Sequence, residues 1–307
     1  MPASQEPASQ KLLKQLGLPA IAGSIAVLAT HPLELTKIRV QLDNELAKQA
    51  PDRARKYQGF VDCFRKNWLR GGLAGVQSGI GLGVTREFFF NAIRIGLFEP
   101  ITDTVHSMSG SDGPITSSER LAAGLTAGAL GGLLINPVDV CKTRFQALGG
   151  LTGHQHHHQG GLDALSSLVR DEGVRGLFNG AATNTLRGFL GPGSQIVAYS
   201  WLKQNSQSVG LTPSSPVTHV ACSLTSAAMS VACVNPVDVI RTRLYNQPFA
   251  EGGRGLWYAH GMDAAGKIAS SEGLGAFYKG AGSHFARLGP HMVLVFVILE
   301  QLKELSR

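Results

Sequence analysis

The chain has 307 residues and a mass of 32.5 kDa, and only 16% of its residues are charged, against about 25% in an average soluble protein. The 43% share of hydrophobic residues excludes intrinsic disorder, and four cysteines without a CxxC pair do not fit a disulfide scaffold or a zinc ribbon. The net charge of +7 favours an anionic partner: nucleic acid, a lipid surface or a small anion.

The chain begins MPASQEPASQKLLKQ, which has neither the apolar core of a secretory signal nor the arginine-rich amphipathic pattern of a transit peptide. We therefore expect any membrane address to lie in the body of the chain. The body opens with an uncharged segment, residues 15–33, which runs into a proline-containing phrase.

That phrase occurs three times, as Pro32–Arg39, Pro137–Arg144 and Pro236–Arg243. Each copy has a proline, an acid two residues later, a base five residues later and an arginine seven residues later. A second phrase follows, which reads EGVRGLFNG and EGLGAFYKG in the later copies and has decayed to GGLAGVQSG in the first. Residue types kept in register over three copies indicate a threefold internal repeat.

Each copy contains two segments long enough to cross the roughly 30 Å hydrocarbon core of a bilayer as a helix. The segments before the prolines are uncharged and rich in Gly, Ala and Ser, which lets helices pack closely in a bilayer. Buried core helices of a large soluble enzyme are the alternative, which the regular recurrence disfavours. The predicted spans are 12–42, 79–104, 117–147, 180–206, 215–246 and 280–304, with short helices near 60–70, 161–171 and 261–271.

The second span of each copy carries an arginine seven residues after the last glycine of the second phrase. These residues, here called the cavity arginines, are Arg86, Arg187 and Arg287. A charge at membrane depth costs roughly 2.5–3.5 kcal/mol on insertion scales, so such residues must face a wet or paired interior. We therefore expect a water-filled central cavity lined by positive charge.

Lysine and arginine are concentrated in the long loops, as in residues 43–78, whereas the short loops 105–116 and 207–214 contain neither. The positive-inside rule then places the long loops on the inner side of the membrane. An even number of spans places both termini on the other side.

The pattern Px[D/E]xx[K/R]x[K/R], followed by EG…[WYF][K/R]G and repeated three times, resembles the signature of the mitochondrial carrier family over essentially the whole chain. The resemblance implies an all-α membrane protein with six transmembrane helices in a pseudo-threefold barrel and one short matrix helix per repeat. It also implies the mitochondrial inner membrane, termini towards the intermembrane space, cardiolipin as a lipid partner, and a monomer. The repeats would be 12–110, 111–210 and 211–307, after an N-terminal tail of residues 1–11.

The prolines Pro32, Pro137 and Pro236 are expected to kink their helices, because proline removes a backbone hydrogen bond. The acid and base that follow lie on one helix face and could form an intrahelical pair worth a few tenths of a kcal/mol. In the family they instead form a ring between repeats that closes the matrix side. The six residues are Glu34, Lys37, Asp139, Lys142, Asp238 and Arg241.

The resemblance implies supporting residues for that gate and a second gate on the opposite side. Gln41 and Gln146 resemble glutamine braces below the ring, and Tyr245 holds the third such position. The outer-gate pattern is less complete, so we expect at most one or two ion pairs there and a carrier open to the intermembrane space when empty. Its charged members are Glu99, Lys203, Glu300 and Lys303.

The substrate-contact positions of the family hold Arg86-Glu87, Arg187-Gly188 and Arg287-Leu288. Guanidinium groups bind carboxylate, sulfate or phosphate through paired hydrogen bonds, so three arginines with one carboxylate suit a small dianion. A nucleotide carrier would instead have a glycine–aliphatic pair on the fourth helix. His291 is a further candidate, because it lies four residues after Arg287 on the same helix face.

Four further phrases, NAIRIGLFEPI, GPGSQ, TRLYNQ and RLGPH, resemble the branch that carries oxaloacetate, sulfate and related dicarboxylates. They add Arg94 and Gln195 to the candidate substrate-binding residues. The branch more usually has an uncharged tyrosine–glutamine pair at the Arg86-Glu87 position. Glu87 is therefore expected either to hold Arg86 in place or to carry a coupled proton.

Other functions stay open: a carrier of acidic amino acids bound through Glu87, an uncoupling-type proton leak protein, or a degenerate carrier acting as an adaptor. An enzyme is disfavoured because no nucleophile–base–acid set is present, and neither a cofactor nor a nucleic-acid partner is expected. A histidine tract, His154 and His156 to His158, has no second set of metal ligands, so we expect it to be solvated and no metal to be bound.

Overall fold

The computed structural model describes residues 8–46, 55–110, 113–156, 160–205, 216–250 and 254–305. Its long helices in these ranges are α1 (Ala8–Gln41), α3 (Ile80–Ser109), α4 (Ser117–Ala147), α6 (Ala181–Gln204), α7 (Pro216–Asn246) and α9 (Ala281–Leu305). Its shorter elements are α2 (Phe60–Val76), α5 (Gly161–Leu177), α8 (Gly261–Glu272), a 3₁₀ helix (Leu274–Tyr278), and the antiparallel strands β1 (Phe249–Ala250) and β2 (Arg254–Gly255).

The six long helices pack side by side in the order α1, α3, α4, α6, α7, α9, and α9 packs back against α1. Each repeat thus supplies two adjacent helices to a closed ring. This arrangement confirms the predicted all-α barrel of three helix pairs. In repeats 1 and 2 the short helix is longer than predicted, and in repeat 3 a 3₁₀ turn follows it.

By length and composition, four segments of the described chain could cross a membrane: Leu16–Gln41, Ser117–Ala147, Ala221–Asn246 and Leu274–Leu305. The remaining long helices, α3 and α6, have 30 and 24 residues. Arg86, Glu87 and Arg94 interrupt the apolar sequence of α3, and Arg187 interrupts that of α6. Both helices stand between apolar neighbours in the ring, where polar side chains can face the interior.

The last glycine of each second phrase makes the turn into the following long helix. Gly79, Gly180 and Gly280 immediately precede α3, α6 and α9, with φ of 76°, 67° and 76°. Residues with a side chain rarely adopt these left-handed values, whereas glycine does so readily. The repeated glycine is therefore the mark of a repeated backbone turn.

The residue before each repeat's proline is polar and fully buried. It hydrogen-bonds a carbonyl of the turn that leads into the next long helix. The three contacts are His31 to Ser78 (2.9 Å), Asn136 to Leu177 (2.7 Å) and Asn235 to Phe277 (2.7 Å). Each bond fixes the proline-containing part of one helix to the loop of its own repeat.

Candidate transport site

Six charged residues of α1, α4 and α7 form what we call the ion-pair ring: Glu34, Lys37, Asp139, Lys142, Asp238 and Arg241. Each base contacts the acid of a different repeat, in the pairs Lys37–Asp238, Lys142–Glu34 (2.7 Å) and Arg241–Asp139 (3.4 Å). Arg241 also lies 3.6 Å from Asp238 of its own helix. None of these side chains is more than 16% exposed, so the ring is buried in the centre of the bundle.

The cavity arginines reach the same three acids from α3, α6 and α9. The contacts are Arg86–Asp139 (3.1 Å), Arg187–Asp238 (2.6 Å) and Arg287–Glu34 (3.9 Å). Each arginine therefore faces the acid of the following repeat, with repeat 1 counted after repeat 3. Every ring acid is shared between a ring base and a cavity arginine, and the sequence analysis did not foresee this sharing.

Two more residues near the ring were not predicted from the sequence. Asn184 donates to Asp139 at 3.0 Å and accepts from Arg241 at 2.8 Å, so it joins both members of one pair. His284 Nδ1 lies 3.7 Å from an oxygen of Asp238. Both residues precede a cavity arginine by three positions, and this shared spacing is the signal that could have identified them.

Glu87 is surrounded by hydrogen-bond donors. Its Oε2 atom lies 3.1 Å from Arg86 Nη1, and its Oε1 atom accepts from Asn91 Nδ2 at 2.9 Å. His291 Nε2 lies 3.7 Å from the same Oε1 atom, across the cavity from α9. Arg86 also stacks on the ring of Phe90, with 4.3 Å between its guanidinium carbon and the ring centroid. Arg86 therefore contacts both Glu87 and a ring acid.

Arg94 and Gln195 occupy different surroundings. Arg94 Nη2 lies 3.4 Å from Asn91 Oδ1, which places it beside the Glu87 group. Gln195 on α6 donates to Ser230 of α7 at 3.3 Å, so its amide contacts the neighbouring helix.

The predicted braces lie below the ion-pair ring. The Gln41 side-chain oxygen accepts from Thr242 at 2.9 Å, and the buried Gln146 amide has no hydrogen-bond partner among the described residues. Tyr245 donates to Asn136 at 2.5 Å and lies against Arg241, with 5.5 Å from the guanidinium carbon to the ring centroid. Of these three positions, Tyr245 is thus the one seen in contact with a ring base.

The outer-gate candidates are exposed near the opposite ends of α3, α6 and α9: Glu99, Lys203, Glu300 and Lys303. An outer ring of ion pairs stays a prediction for a state in which these helix ends approach one another.

The last arginine of each proline phrase joins two repeats below the ion-pair ring. Its Nε atom donates to a carbonyl of the next repeat, in the contacts Arg39–Gln146 (2.9 Å), Arg144–Tyr245 (3.0 Å) and Arg243–Gln41 (3.3 Å). At least one of its remaining nitrogens donates to a short helix of its own repeat. The partners on that helix are Asn67 for Arg39, Glu172 for Arg144 and Glu272 for Arg243. The other terminal nitrogen of Arg39 donates to the Leu148 carbonyl of repeat 2 at 2.7 Å.

The two carboxylates in this set have different electrostatics. Burial raises the pKa of Glu172 above its ordinary value, despite its two hydrogen bonds from Arg144. Burial acts in the same direction on Glu272, but hydrogen bonds from Arg243 and from Lys279 (2.6 Å) bring the pKa of Glu272 below its ordinary value. Glu272 thus has two cations beside it, whereas Glu172 has one cation and the neighbouring anion Asp171, which adds to the rise of its pKa.

The described part of the histidine tract packs against other loops. The rings of His154 and His156 meet edge to face at 4.6 Å, and His154 also contacts Trp257 at 6.2 Å. His157 and His158 lie outside the described residues, as do residues 1–7 of the N-terminal tail.

The amino-acid sequence matches one family, the mitochondrial carrier proteins, over residues 8–109, 113–209 and 212–307. It is 35% identical to "Solute carrier family 25 member 35" of Mus musculus, over 92% of this chain and 95% of that protein. It is 32% identical to "Mitochondrial uncoupling protein 1" of Arabidopsis thaliana, over 96% of this chain and 94% of that protein. It is 31% identical to the "Mitochondrial oxaloacetate transport protein" of Schizosaccharomyces pombe, over 93% of this chain and 88% of that protein.

The three matched segments coincide with the three helix pairs of the barrel. The match and the fold together confirm the family inferred from the repeated phrases and exclude an enzyme. The chain belongs to the mitochondrial carrier family and is a multi-pass transporter of the mitochondrial inner membrane.

Proposed function

We propose that this carrier exchanges small dianions, oxaloacetate or a related dicarboxylate or sulfate, by alternating access through the central cavity. The observation that carries the proposal is the sharing of each ring acid between a ring base and a cavity arginine. Guanidinium groups that already hold carboxylates are matched in charge and geometry to a solute that carries two anionic groups.

In this mechanism the ion-pair ring is the matrix gate, and the termini face the intermembrane space. A dianion that enters from the open side binds the cavity arginines in place of the ring acids. Each acid that loses its arginine loses one of its cationic partners, so solute binding weakens the gate. Opening towards the matrix then follows from the difference in solute affinity between the two states.

The names of two relatives support this choice of solute. One is the oxaloacetate transport protein of S. pombe, and the other is a "Probable mitochondrial 2-oxoglutarate/malate carrier protein" of Dictyostelium discoideum, 29% identical over 96% of this chain. An acidic amino acid is less favoured, because its ammonium group would have to compete for Glu87 with Arg86 and Asn91.

Uptake into proteoliposomes tests the proposal. Purified protein is reconstituted, the vesicles are loaded with unlabelled solute, and uptake of labelled oxaloacetate, malate, malonate, sulfate, phosphate, aspartate and ATP is measured. We expect saturable exchange of the dicarboxylates or sulfate. We expect Arg187→Ala to abolish it, whereas Arg175→Ala, which removes an exposed arginine of α5, should not.

Three outcomes would contradict the proposal. Uptake confined to aspartate would identify an amino-acid carrier. Fatty-acid-stimulated proton flux without any solute exchange would identify an uncoupling-type protein. Normal dianion exchange by Arg187→Ala would show that the cavity arginines do not bind the solute.

A further inference from the structure

Asn184 on α6 contacts both neighbouring helices of the barrel. Its Nδ2 atom donates to the Gly132 carbonyl at 2.7 Å and to Asp139 Oδ2 at 3.0 Å, both on α4. Its Oδ1 atom accepts from Arg241 Nη1 on α7 at 2.8 Å. The reverse orientation would place the nitrogen against a guanidinium and the oxygen against a carbonyl and a carboxylate, so the buried amide fits its site in one way.

The ring base Arg241 lies closer to this amide than to its acid. Its distance to Asp139 is 3.4 Å, whereas Lys142 approaches its acid Glu34 to 2.7 Å. The 2.8 Å bond to Asn184 is the shortest hydrogen bond of Arg241 among the described residues, where its Nε atom has no partner. The Asp139–Arg241 pair is therefore held together in part by a third side chain, which does not belong to the ion-pair ring.

The equivalent positions of the other repeats lack this bridge. Repeat 1 has Gly83, which has no side chain. Repeat 3 has His284, whose Nδ1 atom lies 3.7 Å from Asp238 and makes no hydrogen bond within the described part of the chain. Of these three positions, that of Asn184 is the one that joins both members of a ring pair.

We propose that Asn184 is a latch of the matrix gate: a positioning residue that holds the Asp139–Arg241 pair from the cavity side and so keeps repeats 2 and 3 together. This inference rests on the proposed function, in which the ion-pair ring is the matrix gate. The bond to Arg241 joins α6 of repeat 2 to α7 of repeat 3, and it has to break when these repeats separate.

The latch lies next to the solute site. Asn184 precedes the cavity arginine Arg187 by three residues, on the same face of α6. A dianion that draws Arg187 away from Asp238 therefore acts on the same segment of α6 that carries the latch. Solute binding and release of the Asp139–Arg241 pair are thereby coupled through one helix turn.

Asn184→Ala removes the latch and leaves all six ring residues in place. The matched control is Asn235→Ala, which also removes a fully buried asparagine. Asn235 donates to the carbonyls of Phe277 (2.7 Å) and Lys279 (3.2 Å) instead of to a ring residue. A merely structural loss of buried hydrogen bonds should therefore affect both variants alike, whereas loss of a latch should change the gate in one of them.

A second variant tests the same idea in the opposite direction. His284→Asn places an amide at the equivalent position of repeat 3, beside Asp238 and its ring partner Lys37. The added latch should stabilise the closed gate between repeats 3 and 1. Misfolding cannot produce such a gain.

Pulsed electron paramagnetic resonance on the purified protein in lipid nanodiscs measures how far the gate is open. Spin labels are attached at Arg170→Cys on α5 and Met262→Cys on α8, whose native side chains are 80% and 79% exposed, after Cys233→Ser has removed the exposed native thiol. The distance between the labels reports the separation of repeats 2 and 3, with and without saturating malonate.

We expect a shorter distance for the closed gate and a longer one for the open gate. Asn184→Ala should raise the open-to-closed ratio about tenfold, because hydrogen bonds to charged groups are among the stronger ones in proteins. Asn235→Ala should leave the ratio unchanged, and His284→Asn should lower it in the presence of malonate.

The outcomes separate this inference from the proposed function. A ratio that Asn184→Ala leaves unchanged under both conditions, or that Asn235→Ala raises equally, overturns the latch. If Asn184→Ala does not fold, His284→Asn decides: a lower ratio supports the latch, and an unchanged or higher ratio overturns it. A wild type that exchanges no dianion in proteoliposomes overturns the proposed function, while the distances measured without malonate still decide whether Asn184 holds the gate.

Discussion

Repeat 1 differs from repeats 2 and 3 in how its short helix is held. In repeats 2 and 3 the last arginine of the proline phrase pairs with a buried carboxylate, Glu172 or Glu272. The corresponding position of repeat 1 is Gly71, and Arg39 instead donates to the neutral oxygen of Asn67 at 2.5 Å. The decayed phrase GGLAGVQSG thus corresponds to the loss of one ion pair, while the backbone architecture is retained.

The same repeat is also exceptional in the cavity. It carries Glu87 next to its cavity arginine, where the other repeats have Gly188 and Leu288. Three residues before that arginine it has Gly83, against which His31 packs, where Asn184 and His284 reach a ring acid. A threefold backbone can therefore carry an asymmetric set of charges, and the asymmetry is concentrated in repeat 1.

The largest effect on stability is expected from Glu272→Ala. It would leave the fully buried Arg243 and the nearby Lys279 without their carboxylate, and breaking a buried ion pair in this way costs about 3–5 kcal/mol. Thermal unfolding of the detergent-solubilised protein measures the change. Asp263→Ala, which removes a more exposed pair on the same helix, should cost about 1 kcal/mol or less.

The variants Glu272→Gln and Glu172→Gln should differ in how their stability relative to wild type changes with pH. The pKa of Glu272 is lowered on folding, so its stabilising contribution is present above its unfolded pKa and is lost as the pH falls through its folded pKa. The pKa of Glu172 is raised, so ionised Glu172 is disfavoured by folding and acid relieves this cost. The stability advantage of wild type over Glu272→Gln should shrink in acid, whereas that over Glu172→Gln should not. Identical pH profiles would show that Lys279 does not distinguish the two sites.

A smaller effect is expected in repeat 1. Asn67→Ala removes a hydrogen bond to the buried guanidinium of Arg39 and should cost about 2–3 kcal/mol in unfolding free energy. Adding Gly71→Glu to this variant supplies the carboxylate found in the other repeats, at a position with open space around the new Cβ atom. The double variant should recover part of the lost stability. No recovery would mean that the Asn67 contact is not equivalent to the ion pairs of repeats 2 and 3.

The smallest effect concerns Gly83. A Cβ atom there would lie 2.9 Å from His31 Nδ1, so Gly83→Ala should destabilise the protein by about 1–2 kcal/mol through overpacking. Gly81→Ala, with open space around the added atom, should instead stabilise α3 by about 0.5–1 kcal/mol. Thermal unfolding of both variants measures the two stability changes. Equal changes in melting temperature would contradict the packing of His31 against Gly83.

Repetition made the helices of this fold predictable. The proline phrases and glycine spacings indicated six long helices and three short ones, because the repeated glycines serve a backbone need such as the turn at Gly180. The contacts of individual side chains were not predictable in the same way. The bond from Asn184 to Asp139, and the contact of His291 with Thr30, join residues distant in sequence and depend on how the repeats pack.

The central claim of this account is that a solute dianion and the ring acids compete for the cavity arginines. Asp139→Asn tests it most directly, because the substitution keeps the side-chain shape and removes the charge that holds Arg86. We predict that the variant binds malonate or sulfate about tenfold more tightly than wild type, equivalent to about 1.4 kcal/mol, when Kd is measured by calorimetry on the purified protein. Asp163→Asn, on the short helix α5, should leave Kd unchanged. Weaker or unaltered binding by Asp139→Asn would contradict the account.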